Sequence, residues 1–470
     1  FQADDGIRDC LLSRGLGDVY KRQVGIGVMG SNIALNFSDN DTNVSVYNKS
    51  QNKINQLISE DSSNNISGFT DLEEFVKSIP KPRKILILVP SGEATNSVVE
   101  NLFNFIEEKD TLIDGGNAYY LDSIDLGKRC NKQGIEFIGM GISGGETGAR
   151  TGPALMLGYE KEIPEDLISL ISKVAAKADG RECVGLYKGF GTGHFIKMLH
   201  NGIEYAEMQI LAEAYNILRA AGFDNVAASE FFDNLKKEQQ SSYLIEITSS
   251  ILNTQKDGVY LIDKIKPIAN HKGTGKLTVE TSLNYGFPLP SIFEAFNARV
   301  ESNYQKIWPI TAKNIKIELN PNELQEAIYF SRLSTLTEGI LFIEYFSKQE
   351  NLEIKIEDVM QNWLEGCIIR SDLLKEIKSF LKDSPPNKSI VESKQIQNNL
   401  DSRLKNTKNL LSSCIENNIP TPVMYSSLNW YITSSSEFNP SSLIQAQRDY
   451  FGAHRVQLHE SNEFLHLNWD

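Results

Sequence analysis

Gly25-Ile26-Gly27-Val28-Met29-Gly30, followed by SNIALNF (31–37), is the stretch on which the fold turns. It is a GxGxxG opening a helical run. After a strand, the first glycine permits the tight turn and the second lets a pyrophosphate approach the backbone. The third lets the helix pack close to the strand. Alone the pattern is weak, because Gly-rich turns are common. Working outward, VSVY (44–47), KILILVP (84–90), TLIDGG (111–116) and EFIGMGIS (136–143) are short and mostly apolar, and amphipathic segments lie between them. Such runs read as buried parallel strands.

The alternation from residue 24 to about Gly189 predicts an α/β, Rossmann-type doubly wound sheet. The Gly-rich run 188–193 ends it, and amphipathic helices dominate from there to Gln447, as in 203–221, 322–347 and 392–417. We therefore expect a nucleotide-binding domain over 24–189, a large all-α domain over 190–447 and an extended C-terminal tail over 448–470. Upstream, DVYKRQV (18–24) puts Lys21, Arg22 and Gln23 where a buried first strand should be apolar. Residues 1–23 start with Phe1, lack the apolar core of a signal peptide and carry Asp4, Asp5, Asp9 and Asp18, unlike a transit peptide. They read as a leader standing in place of native sequence.

A chain of 470 residues is too long for one core. Its hydrophobic content of 40% and charged content of 23% are those of a globular protein. The net charge of −14 disfavours nucleic acid and anionic membranes, and no apolar run could span a bilayer. Five cysteines without CxxC pairing fit a reducing compartment, hence the cytoplasm. An anionic small substrate needs a basic pocket, which must be assembled from distant segments because no linear Lys/Arg cluster exists.

In HFIKMLHNGIEY (194–205), Lys197, His200, Asn201, Glu204 and Tyr205 fall within about 140° of one helix face. Spacing alone favours a solvated surface. The mixture of amine, imidazole, amide, carboxyl and phenol nevertheless suits acid–base chemistry if burial shifts the pKa values. His200 and Glu204 at i, i+4, with no third ligand and no HExxH, give no metal site. About eighteen residues beyond the glycine turn, where Asp or Glu would mark NAD, stand Asn48-Lys49-Ser50, which suit the 2′-phosphate of NADP. Asn117 and Ser143-Gly144-Gly145 end strands, where ligands bind in such sheets. HKGTGK (271–276) precedes a helix and suits a monophosphate, although Asn270 breaks the phosphate-loop pattern. Arg299 and Arg448 are candidate phosphate partners.

Together IDGGN (113–117), SGGETGARTGPALM (143–156), GHFIKMLHNGIEY (193–205), HKGTGK, GCIIRS (366–371) and SLIQAQRDYFGAH (442–454) closely resemble the decarboxylating 6-phosphogluconate dehydrogenases, from about Val24 to the C-terminus. The resemblance implies oxidation of 6-phosphogluconate by NADP, with loss of carbon dioxide, as in the pentose phosphate pathway. It implies that Lys197 is the general base and Glu204 the acid. Asn117, Ser143, Gly144, Gly145, His200 and Asn201 would hold the sugar acid. Tyr205, Lys272, Arg299 and Arg448 would bind phosphate with help from His454. Arg448 and His454 would enter the partner's site in a homodimer. Gly25, Ile26, Gly27, Val28, Met29, Gly30, Asn48, Lys49, Ser50, Val89, Pro90, Ser91 and Asn117 match cofactor contacts. The family usually has Arg at Lys49; lysine keeps the charge but loses the bidentate fork, so a weaker NADP preference is expected. Ala118 stands for the usual Ser, and Leu364-Glu365 for a basic-Gly pair. Two rival readings are a non-decarboxylating β-hydroxyacid dehydrogenase, which lacks the helical domain and tail, and a catalytically weak NADP- or sugar-phosphate-binding protein with a damaged first strand.

Overall fold

Eight strands form one sheet: β1 Tyr20–Val24, β2 Asn43–Tyr47, β3 Ile66–Phe69, β4 Lys84–Ile87, β5 Thr111–Asp114, β6 Glu136–Ser143, β7 Ala154–Tyr159 and β8 Val184–Lys188. The computed structural model describes residues 20–237, 240–270, 273–304, 315–382 and 389–469. Strand order is β8-β7-β6-β5-β4-β1-β2-β3, with neighbours parallel except β6 with β7. The block β3-β2-β1-β4-β5-β6 is the doubly wound order, whose ligand crevice lies beyond the carboxyl ends of β1 and β4. The four strands read from sequence are present. β3, β7 and β8 were not anticipated: β3 is four residues long, and β8 has a half-exposed pattern that lacks an apolar run.

The first strand corrects the expected boundary. Tyr20–Gln23, assigned above to the leader, lie inside the sheet, with Arg22 and Gln23 paired to β2 on one side and β4 on the other. The backbone ladder accepts any side chain that can be accommodated. Here Arg22 is buried and lines an apolar cavity with Ile33, Phe37, Leu86, Ile113 and Ile142. Gln23 is buried too, and its amide Nε2 donates to the carbonyls of Gly25 (2.9 Å) and Gly30 (2.7 Å).

The helix Thr192–Ala220, 29 residues long, starts four residues after β8 and lies against β6 and β7. Small residues set that closeness. A Cβ on Gly193 would stand 2.2 Å from the Met156 carbonyl oxygen, and one on Gly141 would stand 2.4 Å from the Cβ of Lys197. A second 29-residue helix, Pro321–Gln349, packs on the first. Glu207 and Arg332 form an ion pair of 2.6 Å between them, both nearly fully buried. Removing one partner would leave a buried charge, at a cost of about 3–5 kcal/mol.

These two helices also supply carboxylates that cap shorter helices whose first residue is proline. Glu338 accepts from the Ser291 N–H and hydroxyl at the start of Pro290–Glu301. Glu213 accepts from the N–H groups of Val423 and Met424 at the start of Pro422–Ser435. Each satisfies donors that a helix start leaves open. Among the described residues no helix is long and apolar enough to cross a membrane.

The tail is less extended than expected. Helix Ser441–Gly452 runs five residues into it, because QAQRDYFG keeps helical backbone until Ala453 turns left-handed at φ 51°. A ribbon of Val456–Gln457 with Phe464–Leu465 follows. The whole arm folds around the buried Asp449 carboxylate. It accepts from the N–H groups of Arg455 (2.7 Å) and Leu467 (3.0 Å), from the Trp469 indole (3.0 Å) and from His466 (3.0 Å).

Candidate active site

The polar face of the Thr192–Ala220 helix is not a wet surface. His200 is wholly buried, and Lys197, Asn201 and Tyr205 are less than a tenth exposed. Only Glu204 of the five keeps appreciable exposure, with a fifth of its side chain open. Spacing in isolation favoured a solvated face because it reports which residues share a face, not what covers it. Here the ends of β5 and β6 and the turns after them cover it.

Lys197 Nζ lies 3.1 Å from Ser143 Oγ and 3.4 Å from His200 Nδ1, and His200 Nε2 lies 3.1 Å from the same Ser143 oxygen. Burial, reinforced by the Lys197 charge, holds His200 well below its usual pKa, so the ring is neutral. The amine supplies hydrogens to Nδ1, which leaves the ring proton on Nε2 to donate to Ser143. The Ser143 hydroxyl proton is then free for a ligand. Burial lowers the Lys197 pKa, against the opposing pull of the Glu204 charge, and favours the neutral amine. Burial raises the Glu204 pKa, against Lys197 and Arg299, and favours the carboxylic acid. One helix face thus carries an amine and a carboxyl, each pushed towards its neutral form, the pairing that acid–base chemistry requires.

The strand-end turns meet this face. Asn201 Nδ2 donates to Asn117 Oδ1 at 3.4 Å, and Ser91 Oγ donates to the Asn117 carbonyl at 3.1 Å. Gly144 and Gly145 adopt φ of 129° and 61°, values that favour glycine, directly after Ser143. The Arg299 guanidinium stacks 3.5 Å from the Tyr205 ring centroid, joining the Pro290–Glu301 helix to the face. Among the described residues, no group of three His, Cys, Asp or Glu side chains is placed to hold a metal ion.

Comparison with known proteins decides the family. The model for the NAD binding domain of 6-phosphogluconate dehydrogenase matches residues 23–188, and that for its C-terminal domain matches 193–469. A "6-phosphogluconate dehydrogenase, decarboxylating" of Staphylococcus epidermidis is 36% identical over 458 residues, covering 95% of this chain and 98% of the relative. Its Staphylococcus aureus counterpart is 35% identical over 462 residues, with 95% and 98% covered. The chain belongs to the 6-phosphogluconate dehydrogenase family. The solved Plasmodium falciparum 6-phosphogluconate dehydrogenase, described with NADP+ and with 6-phosphogluconate, superposes with a TM-score of 0.90 at 30% identity. That match covers 96% of this chain and all of the other.

The residues expected to meet the cofactor lie around the β1/β4 crevice. Gly25 turns with φ 95°, and a Cβ there would strike the Leu88 carbonyl at 2.5 Å. Gly27 caps the helix Val28–Asp39 with no side-chain hydrogen bond and faces open space, while Gly30 has the Gly25 carbonyl where a Cβ would be, at 2.3 Å. An open helix N-terminus reached past a bare glycine fits a pyrophosphate. Ile26 is buried, Val28 exposed and Met29 half-buried. Asn48, Lys49 and Ser50 follow β2, with Lys49 exposed. Val89, Pro90 and Ser91 follow β4, and Val89 approaches Gly25 while Ser91 reaches Asn117. The turn expected to meet the cofactor and the turn expected to meet the sugar acid are therefore adjacent.

Two expected substrate residues, Arg448 and His454, are not brought to this face within one chain. Lys272 lies outside the described residues. Arg448 and His454 are exposed on the arm, where Arg448 donates to Gln445 and the His454 ring meets Phe451. Sequence reasoning passed over His194 and Ser123. His194 lies at i−3 from Lys197, so extending the polar face one turn back would have found it. It also missed Trp363, whose buried ring packs edge-on against His200 at 5.9 Å and carries no sequence signal.

Proposed function

We propose that this chain oxidises 6-phosphogluconate with NADP and releases carbon dioxide, giving ribulose 5-phosphate and NADPH. The observation that carries the reading is the buried Lys197–Ser143–His200 triangle with Glu204 on the same helix face. NADP would be held by Gly25 to Gly30 at the pyrophosphate, by Asn48, Lys49 and Ser50 at the 2′-phosphate, and by Val89 to Ser91 and Asn117 nearer the nicotinamide. When bound, it supplies the hydride acceptor.

Neutral Lys197 takes the C3 hydroxyl proton as the C3 hydride departs. The resulting 3-keto acid is a β-keto acid, so its carboxylate leaves as carbon dioxide without a metal. Protonated Lys197 stabilises the enolate oxygen, and Glu204 then protonates C1 of the enediol. The proton taken and the proton given cancel, so the residues return to balance after proton exchange with solvent. Ser143, Gly144, Gly145, His200, Asn201 and Asn117 hold the sugar acid. Tyr205, Arg299 and Lys272 bind its phosphate, with Arg448 and His454 of the partner subunit completing the site.

A homodimer with exchanged arms is supported by the arm's exposed apolar residues, including Leu443, Tyr450 and Phe451 at 63%, 67% and 73% exposure. Such a patch on a helix with little packing of its own calls for cover. The cytoplasm is the proposed compartment, on the unpaired distribution of the cysteines.

The test is NADPH and carbon dioxide measured together from 6-phosphogluconate. One carbon dioxide per NADPH is expected, with NADP preferred over NAD. NADPH without carbon dioxide would establish the non-decarboxylating rival, neither product would leave a binding protein, and a strong NAD preference would overturn the cofactor assignment.

A further inference from the structure

His194 has no part in the mechanism above, yet it sits one turn before Lys197 and is 1% exposed. Its Nε2 lies 3.0 Å from the Gly116 carbonyl oxygen and its Nδ1 lies 2.6 Å from Ser123 Oγ. A carbonyl oxygen only accepts, so Nε2 carries the proton. Burial lowers the His194 pKa, over the raising effect of Asp114, and keeps the ring neutral. Nδ1 is then a lone-pair acceptor, and the Ser123 hydroxyl donates to it. The Gly116 carbonyl therefore fixes the tautomer, and the Ser123 hydroxyl satisfies the remaining ring nitrogen and holds the ring in place.

Gly116 is gripped from its other side as well, since its N–H donates to Asp114 Oδ1 at 2.9 Å. The Gly116 carbonyl and the Asn117 N–H belong to one peptide plane. A hydrogen bond that fixes the carbonyl thus also fixes the direction in which Asn117 leaves the turn. β6 leaves room for the ring: a Cβ on Gly139 would stand 2.9 Å from His194 Nδ1.

We infer that His194, with its ring held by Ser123 at Nδ1, is a positioning residue that locks the Gly116–Asn117 peptide to the helix bearing Lys197. The substrate-holding turn and the base are thereby kept in register across two separate elements. This rests on the reading that Asn117 contacts the sugar acid.

Four variants test it: His194→Leu, His194→Gln, Ser123→Ala and Asn117→Ala. Each is assayed with the sugar acid as varied substrate to obtain kcat and KM, and its melting temperature is measured alongside. Losing one positioning hydrogen bond should raise KM about tenfold in His194→Leu, with a smaller change in kcat. His194→Gln keeps an amide N–H that can reach Gly116, so its KM should return to within about twofold of wild type even if its melting temperature stays low. Ser123→Ala should fall between them, and it keeps the test decisive if His194→Leu does not fold. Equal KM in wild type, His194→Leu and Ser123→Ala would overturn the positioning role, as would KM that simply tracks lost stability in all three. An unchanged KM in Asn117→Ala would instead overturn the substrate assignment on which the role rests.

Discussion

At the residue scale, the chemistry depends on burial acting on two groups with opposite sign. A lysine loses its charge when desolvated and a glutamic acid keeps its proton, so one closed cleft produces both a base and an acid. Each shift is opposed by the other's charge, which ties the two titrations together. The dependence of kcat/KM on pH should therefore be bell-shaped, because activity needs Lys197 without its proton and Glu204 with one. Glu204→Gln should lower kcat about 10²–10⁴-fold and remove one limb of the bell. An unchanged two-limbed profile in that variant would assign the second limb elsewhere. The identities of these residues were legible in the sequence, since a single helical period aligned all five. Their burial was not, because the segments that cover them come from residues 114–117 and 143–145, about fifty to eighty positions away in the chain.

At the scale of elements, local rules located four of the eight strands, passed over β3, β7 and β8, and gave β1 to the leader. β2, β4, β5 and β6 announce themselves as apolar runs, and the glycine turn announces the helix behind it. β1 does not, because Lys21, Arg22 and Gln23 contradict the pattern of a central strand, yet backbone pairing to β2 and β4 places them there. The lining around Arg22 is otherwise mostly apolar, with Lys84 the one other charged residue in it. Arg22→Ile should accordingly raise the melting temperature by several degrees and tighten NADP binding, because β1 leads directly into the glycine turn. A melting temperature that falls, or NADP affinity that stays the same, would count against a misplaced strand. Helix ends were less legible than helix cores. The Thr192–Ala220 helix begins two residues before the 194–205 stretch whose helical spacing was read, although the apolar periodicity is clear only from Ile203 because the first turns are packed on all sides.

At the scale of the molecule, the sequence showed a nucleotide-binding half, a helical half and a tail, but not how the tail folds. In one chain Arg448 and His454 stand exposed on an arm organised by Asp449. Burial of that carboxyl, which opposes ionisation, is overcome by hydrogen bonds from Leu467, His466, Trp469 and Arg455, so it is held well below the usual carboxylate range. The arm is thus built independently of the cleft it is proposed to serve. If arms are exchanged, Lys197→Met and Arg448→Ala subunits, each inactive alone, should form mixed dimers with one complete site. Random mixing would restore about a quarter of wild-type activity. A mixture as inactive as its parents would rule out exchange.

The central claim is that the buried face of the Thr192–Ala220 helix performs the proton chemistry, with Lys197 as base. Its most direct test is Lys197→Met, a substitution of similar length without the amine, compared with wild type by calorimetry and by turnover. The account predicts that NADP and 6-phosphogluconate both still bind, while NADPH formation falls by at least about 10²–10⁴-fold. Turnover within a few-fold of wild type would contradict it.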